Sequence, residues 1–75
     1  MEIKYHKNFK KRFKKLDKKL QSKVLAKIEF FIKNPFAKEL HNHALTGNLM
    51  GQRAFSVTGD CRVVFEEVGD YVLVI

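Results

Sequence analysis

The sequence predicts an α+β domain in which two helices pack on one face of a small, mostly antiparallel sheet. Three observations lead there. Apolar residues recur at helical spacing from Phe9 to Ile32, and strand-like runs separated by turns take over from Arg53 onward. Asn34-Pro35 divides the two regimes, because proline has no amide hydrogen and biases its predecessor away from helix. A short alternating run also precedes the helices, so the order is β-α-α-β-β-β, which segregates the helices to one side of the sheet.

Taken in order, Glu2-Ile-Lys-Tyr-His6 alternates with Ile3 and Tyr5 on one side, the period of a half-buried strand. Asn8 is a candidate cap for a first helix, in which Phe9, Phe13, Leu16 and Leu20 recur at intervals of four, three and four. A second periodic set, Val24, Leu25, Ile28, Phe31 and Ile32, is out of phase with the first. The mismatch favours two helices hinged near Asp17 to Ser22 over one bent helix. Beyond Pro35, the strand signals are Arg53–Val57, Cys61–Glu66 and Tyr71–Ile75, joined by turns at Thr58-Gly-Asp60 and Val68-Gly-Asp70. The expected core is Phe9, Phe13, Leu16, Leu20, Leu25, Ile28, Ile32, Val63, Phe65, Val72 and Val74. The last run is five apolar residues at the end of the chain, so we expect the natural chain to continue past Ile75.

Seventy-five residues make one domain, 1–75, with a small core. Its single cysteine, Cys61, offers no internal disulfide, and no apolar run approaches the roughly 20 residues of a membrane span. These features point to a cytoplasmic protein. The net charge of +7 is lopsided: residues 1–40 hold 13 of the 15 Lys and Arg against four acids, and residues 41–75 hold two against four. Such a field attracts polyanions, nucleic acid first and an acidic protein second.

The segment His41 to Arg53 has neither period, yet carries two histidines, two glycines and an arginine. A metal site there would need a third ligand from Asp60, Glu66 or Glu67, and no recurring ligand spacing is present, so we expect neither metal nor other cofactor. Nucleophilic catalysis by Cys61 lacks a base beside it in sequence. Metal-free RNA cleavage suits the residues better. It needs a base near the 2′-oxygen, an acid near the 5′-oxygen and cations on the phosphoryl oxygens, and His43, Asp60, Arg53 and Arg62 are a candidate set. Arg53 and Arg62 would lie on adjacent antiparallel strands and converge on one phosphate if register and face agree. Lys10, Lys11, Arg12, Lys14, Lys15, Lys18 and Lys19 would form the surface that meets RNA.

The run of Phe9 to Leu16 with interleaved lysines, Asn34-Pro35, His43-Ala-Leu-Thr-Gly47, Gly51-Gln-Arg53, Val57-Thr-Gly-Asp60 and Arg62-Val-Val-Phe65 resembles the RelE/ParE superfamily of type II toxins, nearest the YafQ-like branch. The resemblance spans nearly the whole chain. It implies a ribosome-associated endoribonuclease (mRNA interferase) that cleaves message by 2′-hydroxyl attack and is held in check by an acidic, partly disordered antitoxin. By that similarity His43 matches a loop histidine proposed as acid or base, Asp60 an aspartate of the strand turn, and Arg53 and Arg62 cations on the scissile phosphate. Ser56 stands where YafQ-like toxins have a second histidine and Cys61 where they have tryptophan, and the Gly-Thr-His segment typical of the family's end is not among these residues. The resemblance leaves two other outcomes open. One is a ParE-like inhibitor of DNA gyrase, and the other is a toxin fold that binds RNA or antitoxin without cutting.

Overall fold

The computed structural model describes all 75 residues. The first strand, β1 (Glu2–Tyr5), leads through His6 into helix α1 (Lys7–Lys14), and α2 (Lys18–Lys33) follows after a three-residue break. The cap of α1 is His6 and not Asn8: its ring Nδ1 accepts the Asn8 backbone N–H at 3.0 Å. Helix α2 starts where the Asp17 carboxylate accepts the Leu20 N–H at 2.8 Å. That cap sets the break at the very start of the expected hinge, so Leu20 belongs to α2. The Gln21 side chain donates to the Phe13 carbonyl at 2.9 Å, which satisfies an oxygen at the end of α1 and ties the two helices together.

After α2 the chain passes through a single 3₁₀ turn, Lys38–Leu40, into a two-residue strand, β2 (His43–Ala44). A second 3₁₀ turn, Gly47–Leu49, precedes β3 (Gln52–Ser56), and β4 (Arg62–Val68) and β5 (Tyr71–Val74) complete the meander. Gly47 and Gly51 both have positive φ, +69° and +95°, so the return into β3 uses backbone conformations that side chains resist. The five strands form one sheet in the order β1-β5-β4-β3-β2. All neighbours are antiparallel except β1 and β5, which run parallel with Ile3 opposite Val72 and Tyr5 opposite Val74.

The core lies between the helices and one face of this sheet. Its centre is a group of three rings: Phe31 of α2 stacks on Phe55 of β3 at 4.6 Å between centroids and tilts against Phe65 of β4 at 4.8 Å. All three are essentially sealed from solvent, as are Val24, Leu40 and Val74. Two of the expected core positions are therefore corrected. Leu25 is 52% exposed, because the buried stripe of α2 runs through Val24, Ile28 and Phe31, one residue out of the expected phase. Leu20 is only half-buried. Phe9 and Phe13 of α1 and Leu16 of the break after it pack against the core without being buried in it. No helix is long and apolar enough to cross a membrane.

Candidate active site

Strand pairing assigns each candidate residue to a face. Phe55 and Phe65 point into the core, and cross-strand partners share a face, so Arg53, paired with Phe65, lies on the helix side of the sheet. Arg62 pairs with Ser56 and lies on the opposite, open side. The two arginines thus stand on adjacent strands but on opposite faces, and the condition for their convergence on one phosphate is not met. Arg53 is instead engaged within the protein: its Nε–H donates to Asn42 Oδ1 at 2.9 Å, and its guanidinium carbon lies 5.7 Å from the centre of the exposed Phe36 ring.

His43 pairs with Ala54 and so shares the open face with Ser56 and Arg62. It lies two strands across and two residues along from Arg62, which puts their Cα atoms roughly 12 Å apart, a span an arginine and an imidazole can bridge around one phosphodiester. The His43 side chain is exposed, with its Nδ1 2.8 Å from the His41 carbonyl oxygen. A carbonyl only accepts, so Nδ1 carries a hydrogen, and whenever the ring is neutral Nε2 holds the free lone pair. The carbonyl is aimed by His41 itself, whose left-handed backbone (φ 51°, ψ 43°) ends the 3₁₀ turn. His41 has no such placement on the sheet face.

Asp60 is exposed on the turn between β3 and β4, at the end of the sheet where Arg62 begins β4. Thr58 Oγ1 accepts the backbone N–H of both Asp60 and Cys61, at 3.3 and 3.1 Å, which holds this turn closed. Around the corner lies a cleft of about 160 Å³, floored by Phe9, Phe13, Leu16 and Val63 and lined on its polar side by Arg12 and Arg62. Cys61 is half-buried in the same cleft. The cation that shares a cleft with Arg62 is therefore Arg12, from the far half of the chain. Lys10, Lys11, Lys14, Lys15, Lys18 and Lys19 are all exposed on or just beside the two helices.

Sequence reasoning missed strand β2 and Asn42, and the place of Arg12 beside Arg62. Strand β2 is too short to show a period, and Asn42 looked like one more loop residue. Asn42 in fact bridges three segments, donating Nδ2–H to the Pro35 carbonyl at 2.9 Å while accepting from Arg53. Arg12 was legible only as part of a basic helix, since its place on the same cleft as Arg62 depends on how the helix packs against the end of the sheet.

With this geometry in view, known structures supply a comparison, although no protein-family model and no curated protein matches the chain. The chain is similar to a YoeB/ParE toxin from Agrobacterium tumefaciens, with a TM-score of 0.73 and 20% identity over 100% of this chain and 93% of that one. It is similar also to YafQ from E. coli (TM-score 0.71, 19% identity, 97% of this chain and 86% of that one). A third neighbour is the YoeB–YefM toxin–antitoxin heterotetramer from Staphylococcus aureus, with a TM-score of 0.70 and 18% identity over 99% of this chain and 90% of the matched one. The architecture is a RelE/YoeB-like toxin fold, two helices on a five-stranded, mostly antiparallel sheet. The likeness favours YafQ no more than YoeB.

Proposed function

We propose that this protein is the toxin of a type II toxin–antitoxin system, an endoribonuclease that cleaves message on the ribosome by 2′-hydroxyl attack. The observation that carries the reading is the pairing, on one open sheet face, of an imidazole with a free Nε2 and an unpaired strand arginine. In the proposed reaction His43 Nε2 takes the proton from the 2′-hydroxyl. The 2′-oxygen then bonds to phosphorus, and the P–O5′ bond breaks. Arg62, with Arg12 beyond it, stabilises the charge on the phosphoryl oxygens. The departing 5′-oxygen takes a proton from a water oriented by Asp60, and the imidazolium returns its own proton to that solvent. The products are a 2′,3′-cyclic phosphate and a 5′-hydroxyl, and no metal takes part.

The exposed Lys10, Lys11, Arg12, Lys14, Lys15, Lys18 and Lys19 supply the electrostatic attraction to ribosomal RNA and message. The same surface suits an acidic, partly disordered antitoxin that folds as it binds. The S. aureus YoeB–YefM complex supports an antitoxin partner; its acidity and coupled folding are inferred from the charge of this surface.

Primer extension on a translated message tests the proposal. Cuts positioned by codon are expected with the unaltered chain, and His43→Gln should reduce their rate by about 10²-fold or more. Intact message in the presence of folded protein, together with inhibited DNA supercoiling that His43→Gln leaves unchanged, would move the assignment to a non-catalytic gyrase inhibitor.

A further inference from the structure

Strand β2 has two residues, yet it must hold the one imidazole on the open face in a fixed place. Its backbone contribution is small. His43 pairs with Ala54 and Ala44 with Arg53, and the Leu45 N–H donates to the Gln52 carbonyl at 2.9 Å. Two-residue strands at a sheet edge are weakly held by their ladders alone. The additional restraint comes from the residue just before the strand.

Asn42 uses both ends of its amide. Its Nδ2–H reaches back to Pro35, at the exit of α2, and its Oδ1 receives Arg53 Nε–H from β3. Both bonds are 2.9 Å and partly buried, so they are shielded from competition by water. Arg53 is fixed in turn by its place in β3 and by Phe36 beside its guanidinium. Because Asn42 sits between His41 and His43, anchoring it fixes the peptide that carries the His41 carbonyl. That carbonyl is the acceptor for His43 Nδ1–H. A histidine side chain in water prefers its hydrogen on Nε2, so the base-competent form with Nε2 unprotonated is favoured by this imposed partner.

We propose that Asn42 and Arg53 are positioning residues that hold His43 in its Nδ1–H form and aim Nε2 across the open face. The role rests on the endoribonuclease reading only for its catalytic consequence; the tautomer is a property of the protein alone. Arg53 thus acts through Asn42 and touches no phosphate.

Nitrogen-15 NMR of histidine-labelled protein tests this directly, at a pH where His43 is neutral. The expected wild-type signature is a protonated Nδ1 and a bare Nε2. Asn42→Ala should shift the population toward Nε2–H while the amide spectrum stays dispersed. Arg53→Lys should do likewise, because lysine has no Nε–H fork to meet Oδ1. Asn42→Asp, which keeps the acceptor for Arg53, should restore the wild-type signature in part. In the cleavage assay Asn42→Ala should lower kcat by about tenfold or more with KM unchanged. A wild-type His43 with its hydrogen on Nε2, or an Asn42→Ala protein whose tautomer is unaltered, overturns the proposal. The expected NMR pattern in a protein that cuts no message leaves the positioning role standing and overturns the reaction instead.

Discussion

Arg53 and Arg62 stand on adjacent strands and point to opposite faces of the same sheet, three steps of register apart. One is bound into the structure through Asn42, and the other faces solvent with no protein partner for its side chain among the hydrogen bonds of the fold. Their substitutions should therefore separate. Arg53→Ala strands a partly buried amide oxygen and should cost about 1–2 kcal/mol of stability. Arg62→Ala should change stability by no more than about 0.5 kcal/mol while lowering RNA affinity. Urea titrations and filter binding on the two variants check this, and equal losses of stability would contradict the assignment of faces.

The cap on α1 is an unusual choice. His6 accepts the Asn8 N–H through a neutral ring, at the N-terminus of a helix whose first turn holds no acid. A carboxylate would accept the same bond, complement the helix dipole and offset neighbouring lysines. His6→Asp should stabilise the protein by about 0.5–1 kcal/mol, and His6→Ala should destabilise it by a similar amount. Thermal unfolding should show the two variants moving in opposite directions.

The stacked rings at the centre leave little tolerance. Phe31→Ala removes the side chain that α2 uses to meet both β3 and β4. The expected cost is about 3–5 kcal/mol, a large share of the stability of so small a domain. This variant should lose near-ultraviolet circular dichroism and the dispersed NMR spectrum at ambient temperature. Leu25→Gln, by contrast, alters an exposed side chain and should stay within about 0.5 kcal/mol of the parent.

Arg12 and Arg62 line one cleft, so their contributions to RNA binding should couple. Each single Ala substitution should flatten the slope of log affinity against log salt by up to about 0.7 per lost phosphate contact on single-stranded RNA. The double substitution should fall short of the sum, as expected for groups that share one ligand. Strict additivity would place the two on separate phosphates.

The element order, the helix break and the three meander strands were legible because each left a local mark: a period, a proline, a Thr-Gly-Asp turn. The surroundings of Arg53 were not. Alternation along β3 puts Arg53 on the apolar side with Phe55 and Val57, a side where an arginine is unexpected, and what accommodates it there, Asn42 and Phe36, lies on segments without a period. The phase of α2 was ambiguous for a related reason, since Val24 and Leu25 are both apolar and only the position of the sheet chooses between them. His43 and Arg62 could be proposed from residue type. Their shared face depends on β2, whose two residues are recognisable only once β3 is beside them. Asn42 left no signal at all, because its two partners, Pro35 and Arg53, lie seven and eleven residues away.

The parallel pairing of β1 with β5 has a consequence for synthesis. Ile3 waits for Val72, and Tyr5 for Val74, so β1 has no sheet to join until β5 has been translated. Contacts of such long sequence separation form late. While β5 is still inside the exit tunnel, β1 lacks its only neighbour in the sheet, and the nascent chain cannot complete its fold.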